Sequence, residues 1–358
     1  MNAQLARGAV LVTGGLGYIG SHAVVALEAT GHRTVILDNL ANSERAVLSR
    51  LERLCGRAVP FLEGDVCDGP LVEQALRYHD VVACVHFAGL KSVAASVEQP
   101  LVYYDVNVGG TVALLAAMRR AGTRRLIFSS SATVYGSPER VPIPETAATA
   151  PNNPYGRSKL AAETVIDDEC AARPDLAAIS LRYFNPAGAH ASGLIGERPR
   201  GRPDNLMPYV SQVAAGQRPH VDVFGIDYPT PDGTGVRDYV HVVDLAQAHV
   251  RALETLRDGG GHARLNLGTG RGYSVLELIH AYQQATGHRV PYAMAPRRAG
   301  DIAECYADAS LAQTLLDWNA ELSLEDMCRD AARFESQMAT GGESVPVRRT
   351  NVDAIRTF

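Results

Sequence analysis

Tyr155 and Lys159 stand four residues apart in Tyr-Gly-Arg-Ser-Lys. On a helix, positions i and i+4 share one face, so phenol and ammonium would point the same way. A nearby cation favours phenolate and draws a tyrosine pKa down from about 10. The pair therefore reads as a general base and acid. Tyr-x-x-x-Lys also arises by chance, and a surface tyrosine packed on a lysine stem is the bland reading. Its company argues otherwise. Phe-Ser-Ser-Ser at 128–131 follows a short β-branched run, and ligands of open α/β sheets bind at the carboxyl edge of the strands. Ser131 is the expected hydroxyl partner of a reacting oxygen, with Thr133 the alternative. Ser129 and Ser130 are expected to close a turn.

A second constellation opens the chain. Val-Leu-Val-Thr-Gly-Gly-Leu-Gly-Tyr-Ile-Gly-Ser-His places glycines at 14, 15, 17 and 20. Gly15, Gly17 and Gly20 satisfy GxGxxG, and Gly14, Gly17 and Gly20 satisfy GxxGxxG. Such a turn lets backbone approach a pyrophosphate, and the following helix offers N–H groups and a positive dipole end. The motif is weak in isolation. Here a strand precedes it, a helix follows, and Asp38 stands 18 residues after Gly20. A carboxylate there accepts from ribose hydroxyls and repels a 2′-phosphate, which favours NAD over NADP. Arg33 and Arg45 weigh slightly the other way. Asp65 is either an adenine neighbour or a strand-end turn residue.

These residues need a frame. Short apolar runs at Ala9–Thr13, Thr34–Leu37, Val59–Leu62, Val81–His86 and Arg125–Phe128 read as doubly covered parallel strands. Helical spacing fills Ile19–Ala29 and Val108–Ala121, with Gly31 and Gly122 as C-caps. The predicted class is α/β: a Rossmann-type doubly wound parallel sheet with a second, smaller α/β substrate domain. The expected boundaries are 1–185 for the NAD-binding domain and 186–336 for the second. The chain is expected to cross back near 238–256, and 337–358 reads as a loose tail. Residues 186–235 are rich in Gly, Pro, Asp and Arg and read as a binding surface of loops. Helical patterns return at Asp244–Leu256 and Ser274–Ala285.

Composition narrows the function. The chain has 358 residues, 46% hydrophobic and 20% charged, with a net charge of -5. That excludes bulk disorder and argues against nucleic acid or an anionic membrane as main partner. Six scattered cysteines without CxxC suggest reduced thiols and a cytoplasmic setting. No signal-like segment and no uncharged apolar run long enough for a bilayer is read. His86, His190 and His241 lack metal-ligand spacing, so no metal is expected.

The glycine turn, Asp38, Ser131, Tyr155 and Lys159, in this order, resemble the extended short-chain dehydrogenase/reductase superfamily. Within it the chain closely resembles the UDP-glucose 4-epimerases, also called UDP-galactose 4-epimerases. The resemblance rests on TGGLGYIGSH, LDNLANS, EGDV, HFAGLKSV, SSSATVYG, NPYGRSKL, RYFNPAGAH, NLMPY, DGTGVRDYVHVVDLA, NLGTG and APRRAGD, from about residue 8 to about 320. It implies retained NAD. Gly14, Gly17, Tyr18, Ile19 and Gly20 would sit at the pyrophosphate, and Asp38, Asn39, Asn42 and Ser43 at the ribose. Asp65 and Val66 would flank adenine. Phe87, Ala88, Gly89, Lys91, Tyr183 and Phe184 would line the nicotinamide side with Ser131, Tyr155 and Lys159. Asn107 would brace the site, while Val106 departs from members that carry a second Asn.

The resemblance also implies a reaction. Tyr155 would take the proton of the sugar 4-hydroxyl while hydride passes to NAD; the 4-ketosugar would turn over and take hydride back on its other face. Ser131 and Tyr155 would touch the reacting oxygen. Asn185, Asn205, Leu206, Val221, Val223, Phe224, Arg237, Tyr239, Arg298 and Asp301 would hold UDP, the two arginines suiting a pyrophosphate. Cys305 occupies a position where members restricted to glucose and galactose often carry Tyr, and a small residue there implies room for UDP-GlcNAc and UDP-GalNAc. The plain alternative is a buried small apolar side chain. A homodimer is also implied. The apolar face of Val108–Ala121 would serve either it or the core.

Other readings remain, on this scaffold and of another class. A sugar-nucleotide 4,6-dehydratase would need an acidic pair after the strand-five hydroxyl, but Ala132 and Thr133 follow Ser131, with no acid before Glu139. Decarboxylating enzymes and uronic acid epimerases are excluded less cleanly. A dinucleotide-binding sensor would be free to lose Tyr155 and Lys159.

Overall fold

The computed structural model describes residues 8–201, 203–256, 260–298 and 300–340. Six strands arise in turn from the first half: β1 (Ala9–Thr13), β2 (Arg33–Asp38), β3 (Phe61–Glu63), β4 (Val81–His86), β5 (Arg125–Ser131) and β6 (Ala177–Tyr183). A seventh, β7 (Gly261–Leu267), comes from much later in the chain. They form one parallel sheet in the order β7-β6-β5-β4-β1-β2-β3. The order reverses between β1 and β4, so the crevice of a doubly wound sheet opens at their carboxyl ends.

Alternation along each strand feeds two cores, which is why the strands read as unbroken apolar runs. Val10 and Val12 pack with Val24 and Leu27 of α1 (Tyr18–Ala29) on one face. Leu11, Val35 and Leu37 pack with Leu114 and Met118 of α2 (Gly110–Ala121) and Ala162 and Ile166 of α3 (Pro154–Ala172) on the other.

Several element ends differ from the sequence reading, three of them instructively. β3 starts at Phe61 rather than Val59, because Pro60 has no N–H to donate; its carbonyl accepts from Ile36 N at 2.8 Å. β5 runs on through Ser131, so the serines complete a strand rather than close a turn. α2 starts at Gly110, after a π-helical turn over Asp105–Gly109.

After β6 the chain leaves the sheet and then returns. α5 (Val242–Thr255), which follows α4 (Leu206–Ala214), buries Leu245, Ala248 and Leu253 in the core shared with α1, and β7 follows it into the sheet. The crossing back thus extends from the expected 238–256 to Leu267. The remaining residues build a second core from Met207, Val210, Val221, Val223, Ile279, Tyr282 and Met327. The segment expected as a tail begins inside the last helix, α6 (Leu324–Ala339), where Gln337 Nε2 donates to Ser192 O at 3.0 Å. Residues 341–358 lie outside the described residues.

The sequence reading expected no bilayer-length apolar segment, yet the helical stretch Pro100–Ala121 is long and apolar enough by length and composition. A core helix passes the same test, and Leu114, Leu115, Ala117 and Met118 of this one pack into the sheet's core.

Candidate active site

One cavity of about 1230 Å³ runs along the carboxyl ends of the strands and under the second half of the chain. That exceeds the roughly 300–1,000 Å³ of a pocket for one drug-sized ligand.

The glycine turn forms the floor at the β1 end. Gly14 has φ +68°, and a Cβ there would lie 2.8 Å from Ala88 N. A Cβ on Gly20 would meet Gly14 O at 2.2 Å. Gly17 begins α1 without a side-chain cap, so the helix N-terminus faces the cavity with Tyr18 and Ile19 on its wall. Such an end suits an anion. Tyr18 Oη donates to Gly188 O at 2.7 Å, tying the turn to the second half.

Asp38 ends β2 and is buried. Its carboxylate accepts from Leu16 N at 3.0 Å, Leu40 N at 2.9 Å and Ser43 Oγ at 2.8 Å. Those bonds use about three of a carboxylate's roughly four lone-pair sites. The ribose residue thus also shapes the glycine turn and the 39–43 loop. Asn39 Nδ2 donates to Asp65 at 2.8 Å. The Cys67 backbone N–H, outweighing burial, holds the Asp65 carboxyl below its usual pKa, with Asn39 adding to it. Asn42 and Val66 line the same wall. These residues fit a dinucleotide: a glycine cradle that a Cβ would fill, an uncapped helix start and a ribose-side carboxylate.

Phe87, Ala88, Gly89 and Lys91 follow β4 along the cavity. Asn107 braces them from the π turn: its Oδ1 accepts from Leu90 N at 2.7 Å, and its Nδ2 donates to Leu90 O at 3.0 Å and Ser158 Oγ at 2.9 Å. Val106 lines the cavity, and Asn107 stands behind it.

Tyr155 and Lys159 lie on α3, whose start is capped by Asn153 through Gly156 N. Both line the cavity with Ser131. Lys159 Nζ donates to Ser129 O at 2.8 Å and lies 5.0 Å from the Phe128 ring centroid. Burial brings its pKa down to about 8, against the pull of Glu163. Lys159 was expected to lower the Tyr155 pKa. Instead burial raises it, and the hydrogen bond with Ser131 is what acts in the lowering sense. Ser131 Oγ also accepts from Thr133 Oγ1 at 2.9 Å. Ser130 also borders the cavity but is buried, with its Oγ donating to Glu163 at 2.5 Å. Tyr183 and Phe184 close the cavity at the end of β6. Tyr183 Oη pairs with His249 Nε2 at 2.5 Å, and burial pushes its pKa well up.

The second half supplies the facing wall. Asn185, Asn205, Leu206, Phe224, Arg237, Tyr239, Arg298, Asp301 and Cys305 all line the cavity. The Arg298 guanidinium carbon lies 3.8 Å from the Phe224 ring centroid, and Arg237 Nη2 sits 3.5 Å from Asp301. Val221 and Val223 depart from their expected role. Alternation in the strand Val221–Phe224 buries both side chains in the second core and turns Asp222 and Phe224 to the cavity. Burial pushes the Cys305 thiol up to about 11, so it is a neutral group.

Sequence reasoning missed Glu197, Arg198 and Arg200, which also line the cavity. Glu197 Oε1 accepts from Lys91 Nζ at 2.5 Å and from Asn205 Nδ2 at 2.7 Å. They lie in the Gly/Pro/Arg-rich stretch, where no motif separates them from solvent-facing charged side chains. Among the described residues, no group of three His, Cys, Asp or Glu could hold a metal.

The family model for "NAD dependent epimerase/dehydratase family" matches residues 10–268. The chain belongs to that family. Among curated relatives in and around it, the UDP-glucose 4-epimerase of Mus musculus is 51% identical over 339 residues, 93% of this chain and 98% of that one. Among solved structures, the UDP-glucose 4-epimerase of Stenotrophomonas maltophila, with bound NAD and formylated UDP-arabinopyranose, is 54% identical with a TM-score of 0.91. It covers 93% of this chain and 99% of its own. The Bifidobacterium longum enzyme in complex with NAD+ and UDP is 48% identical with a TM-score of 0.90, over 93% and 99%. An NAD-dependent family enzyme accounts for both the glycine cradle and the Tyr155–Lys159–Ser131 group.

Proposed function

We propose that this chain is a UDP-glucose 4-epimerase, interconverting UDP-galactose and UDP-glucose by inverting C4 of the hexose through a transient 4-ketone. The carrying observation is a single cleft. One wall holds the glycine turn with Tyr155, Lys159 and Ser131; the other holds Arg237 and Arg298. NAD, when bound, supplies a reversible two-electron acceptor and a positive charge beside the phenol.

Tyr155 exchanges a proton with the sugar 4-hydroxyl. Ser131, whose interaction with that phenol acts to lower its pKa, orients the same oxygen. Burial raises the Tyr155 pKa, so the phenolate depends on positive charge in the site, and Lys159 holds one charge on the Ser129 carbonyl. Arg237 and Arg298 grip the pyrophosphate, leaving the hexose free to present either face. Residues up to 185 together with the return through Leu267 hold the cofactor, and the rest hold UDP. Purified protein given UDP-galactose should form UDP-glucose on chromatography. No conversion at saturating added NAD sinks the reading.

The same cleft also takes UDP-GlcNAc, because Cys305 presents a small neutral wall to the hexose. UDP-GalNAc should form in a parallel tube, and Cys305→Tyr should abolish that product alone. The chain acts as a homodimer in the cytoplasm. Its six cysteines are free thiols, and Leu101 and Val112 are exposed along the helical run Pro100–Ala121, Leu101 by 81%. Leu101→Glu should sediment as a monomer.

A further inference from the structure

Residues 197–200 come from the second half of the chain, yet their side chains reach back to the first half at three places. Glu197 pairs with Lys91, on the nicotinamide side. Arg198 lies 3.6 Å from Glu44, an exposed pair of little weight. Arg200 makes the firmest attachment: its Nη1 donates to Ala41 O at 3.0 Å, and its Nη2 donates to Leu40 O at 3.2 Å and Ser43 O at 2.7 Å.

Three carbonyls converging on one guanidinium need a specially bent loop. Leu40 supplies the bend, with φ 59°, a conformation that branched side chains rarely adopt. Asp38 holds the Leu40 N–H from inside, and Arg200 holds the carbonyl from outside. The loop so fixed carries Asp38, Asn39, Asn42 and Ser43. Four residues span roughly 10 Å between first and last Cα, so this segment links the two ends of the cofactor cleft directly. Glu197 Oε2 is buried without a hydrogen-bond partner, which leaves an acceptor in the cleft wall.

We propose that Glu197–Arg200 is a strap that retains the dinucleotide, with Arg200 as its clasp on the ribose loop. This rests on the reading of the cleft as an NAD site. Release of the dinucleotide then requires the clasp to open, so Arg200 sets residence time rather than the chemistry on the sugar.

The test is exchange of bound NAD against isotopically labelled NAD, followed by mass spectrometry of released nucleotide, on the full chain. The assay contains no sugar, so failure of the sugar assignment leaves it standing. Arg200→Ala should release NAD about tenfold faster or more, since affinity losses fall mostly on dissociation rates. Arg200→Lys should lie between, because one ammonium cannot span three carbonyls as the planar fork does. A release rate in Arg200→Ala equal to that of the parent overturns the proposal. So does an equal acceleration in Arg329→Ala, a surface arginine bonded to Asp326 on the last helix.

Discussion

Glu163 lies one helical turn beyond Lys159, at the hub of a buried polar cluster. Its carboxylate accepts from Ser130 Oγ at 2.5 Å, Arg182 Nε at 3.0 Å, Arg182 Nη2 at 2.6 Å and Arg264 Nε at 3.2 Å. The Glu163 and Arg182 side chains are 1% and 3% exposed. Arg182 also donates to Tyr135 Oη, which reaches Asn266, so the cluster ties α3 to β5, β6 and β7. Glu163→Gln keeps the shape and removes the charge, leaving a buried guanidinium uncompensated. Breaking such a pair costs about 3–5 kcal/mol. At about 2.1 cal/mol/K per residue, 358 residues give an unfolding entropy of about 0.75 kcal/mol/K. Tm should therefore fall by about 4–7 °C, read by circular dichroism at pH 7.

The pH dependence sharpens that test. Burial pushes the Glu163 carboxyl up, but Arg182 and Ser130 outweigh it and hold the group below its ordinary 4.5. A depressed carboxylate stabilises the fold above its unfolded pKa, and the contribution is lost as pH falls through the folded one. The Tm gap between parent and Glu163→Gln should accordingly narrow below about pH 4.5. Pairing Glu163→Leu with Arg182→Met removes both charges and should recover part of the loss. A fall under about 1 °C at pH 7, or a gap that widens in acid, would show that the Glu163–Arg182 pair does not stabilise the fold.

Other consequences are as direct. Tyr155→Phe should lower kcat for UDP-galactose by about 10²–10⁴, the range of a lost general acid–base, while NAD content per chain is measured alongside. The rate should decline as pH rises through about 8, where Lys159 loses its proton. For folding the sign is opposite: between about 8 and the unfolded 10.5 the unfolded chain binds the extra proton, so Lys159 makes stability rise with pH there. Gly20→Ala would put a Cβ 2.2 Å from the Gly14 carbonyl, which backbone cannot yield cheaply. Purified variant should therefore carry little NAD by absorbance.

Much of the sheet was legible because parallel strands covered on both faces are plain apolar runs. β1 and β4 were read to the residue, and Gly122 marked the end of α2 through its positive φ. Most of the proposed site residues also line one cleft, many because they follow a strand, as Phe87, Ala88 and Gly89 do, or open a helix, as Tyr18 and Tyr155 do. What escaped the sequence was side-chain direction and long-range pairing. Val221 and Val223 belong to a stretch whose alternate residues face the cleft, and only packing tells which set is buried. Ser130 looked like a turn residue until Glu163, 33 positions on, appeared as its partner. Arg200 meets Leu40, Ala41 and Ser43 across more than 150 residues, a pairing no local pattern encodes. The sign of the Tyr155 shift lies beyond the sequence, because spacing shows a cation nearby but not how deeply the phenol is buried.

Epimerisation through NAD requires that the hydrogen at C4 leaves and returns within one site. The measurement that tests it most directly is conversion of UDP-galactose in deuterium oxide, with the UDP-glucose product examined by NMR and mass spectrometry. UDP-glucose should carry no deuterium at C4, since the hydrogen never mixes with water. Deuterium at C4 would mean that inversion proceeds by proton exchange with solvent rather than by hydride transfer to NAD.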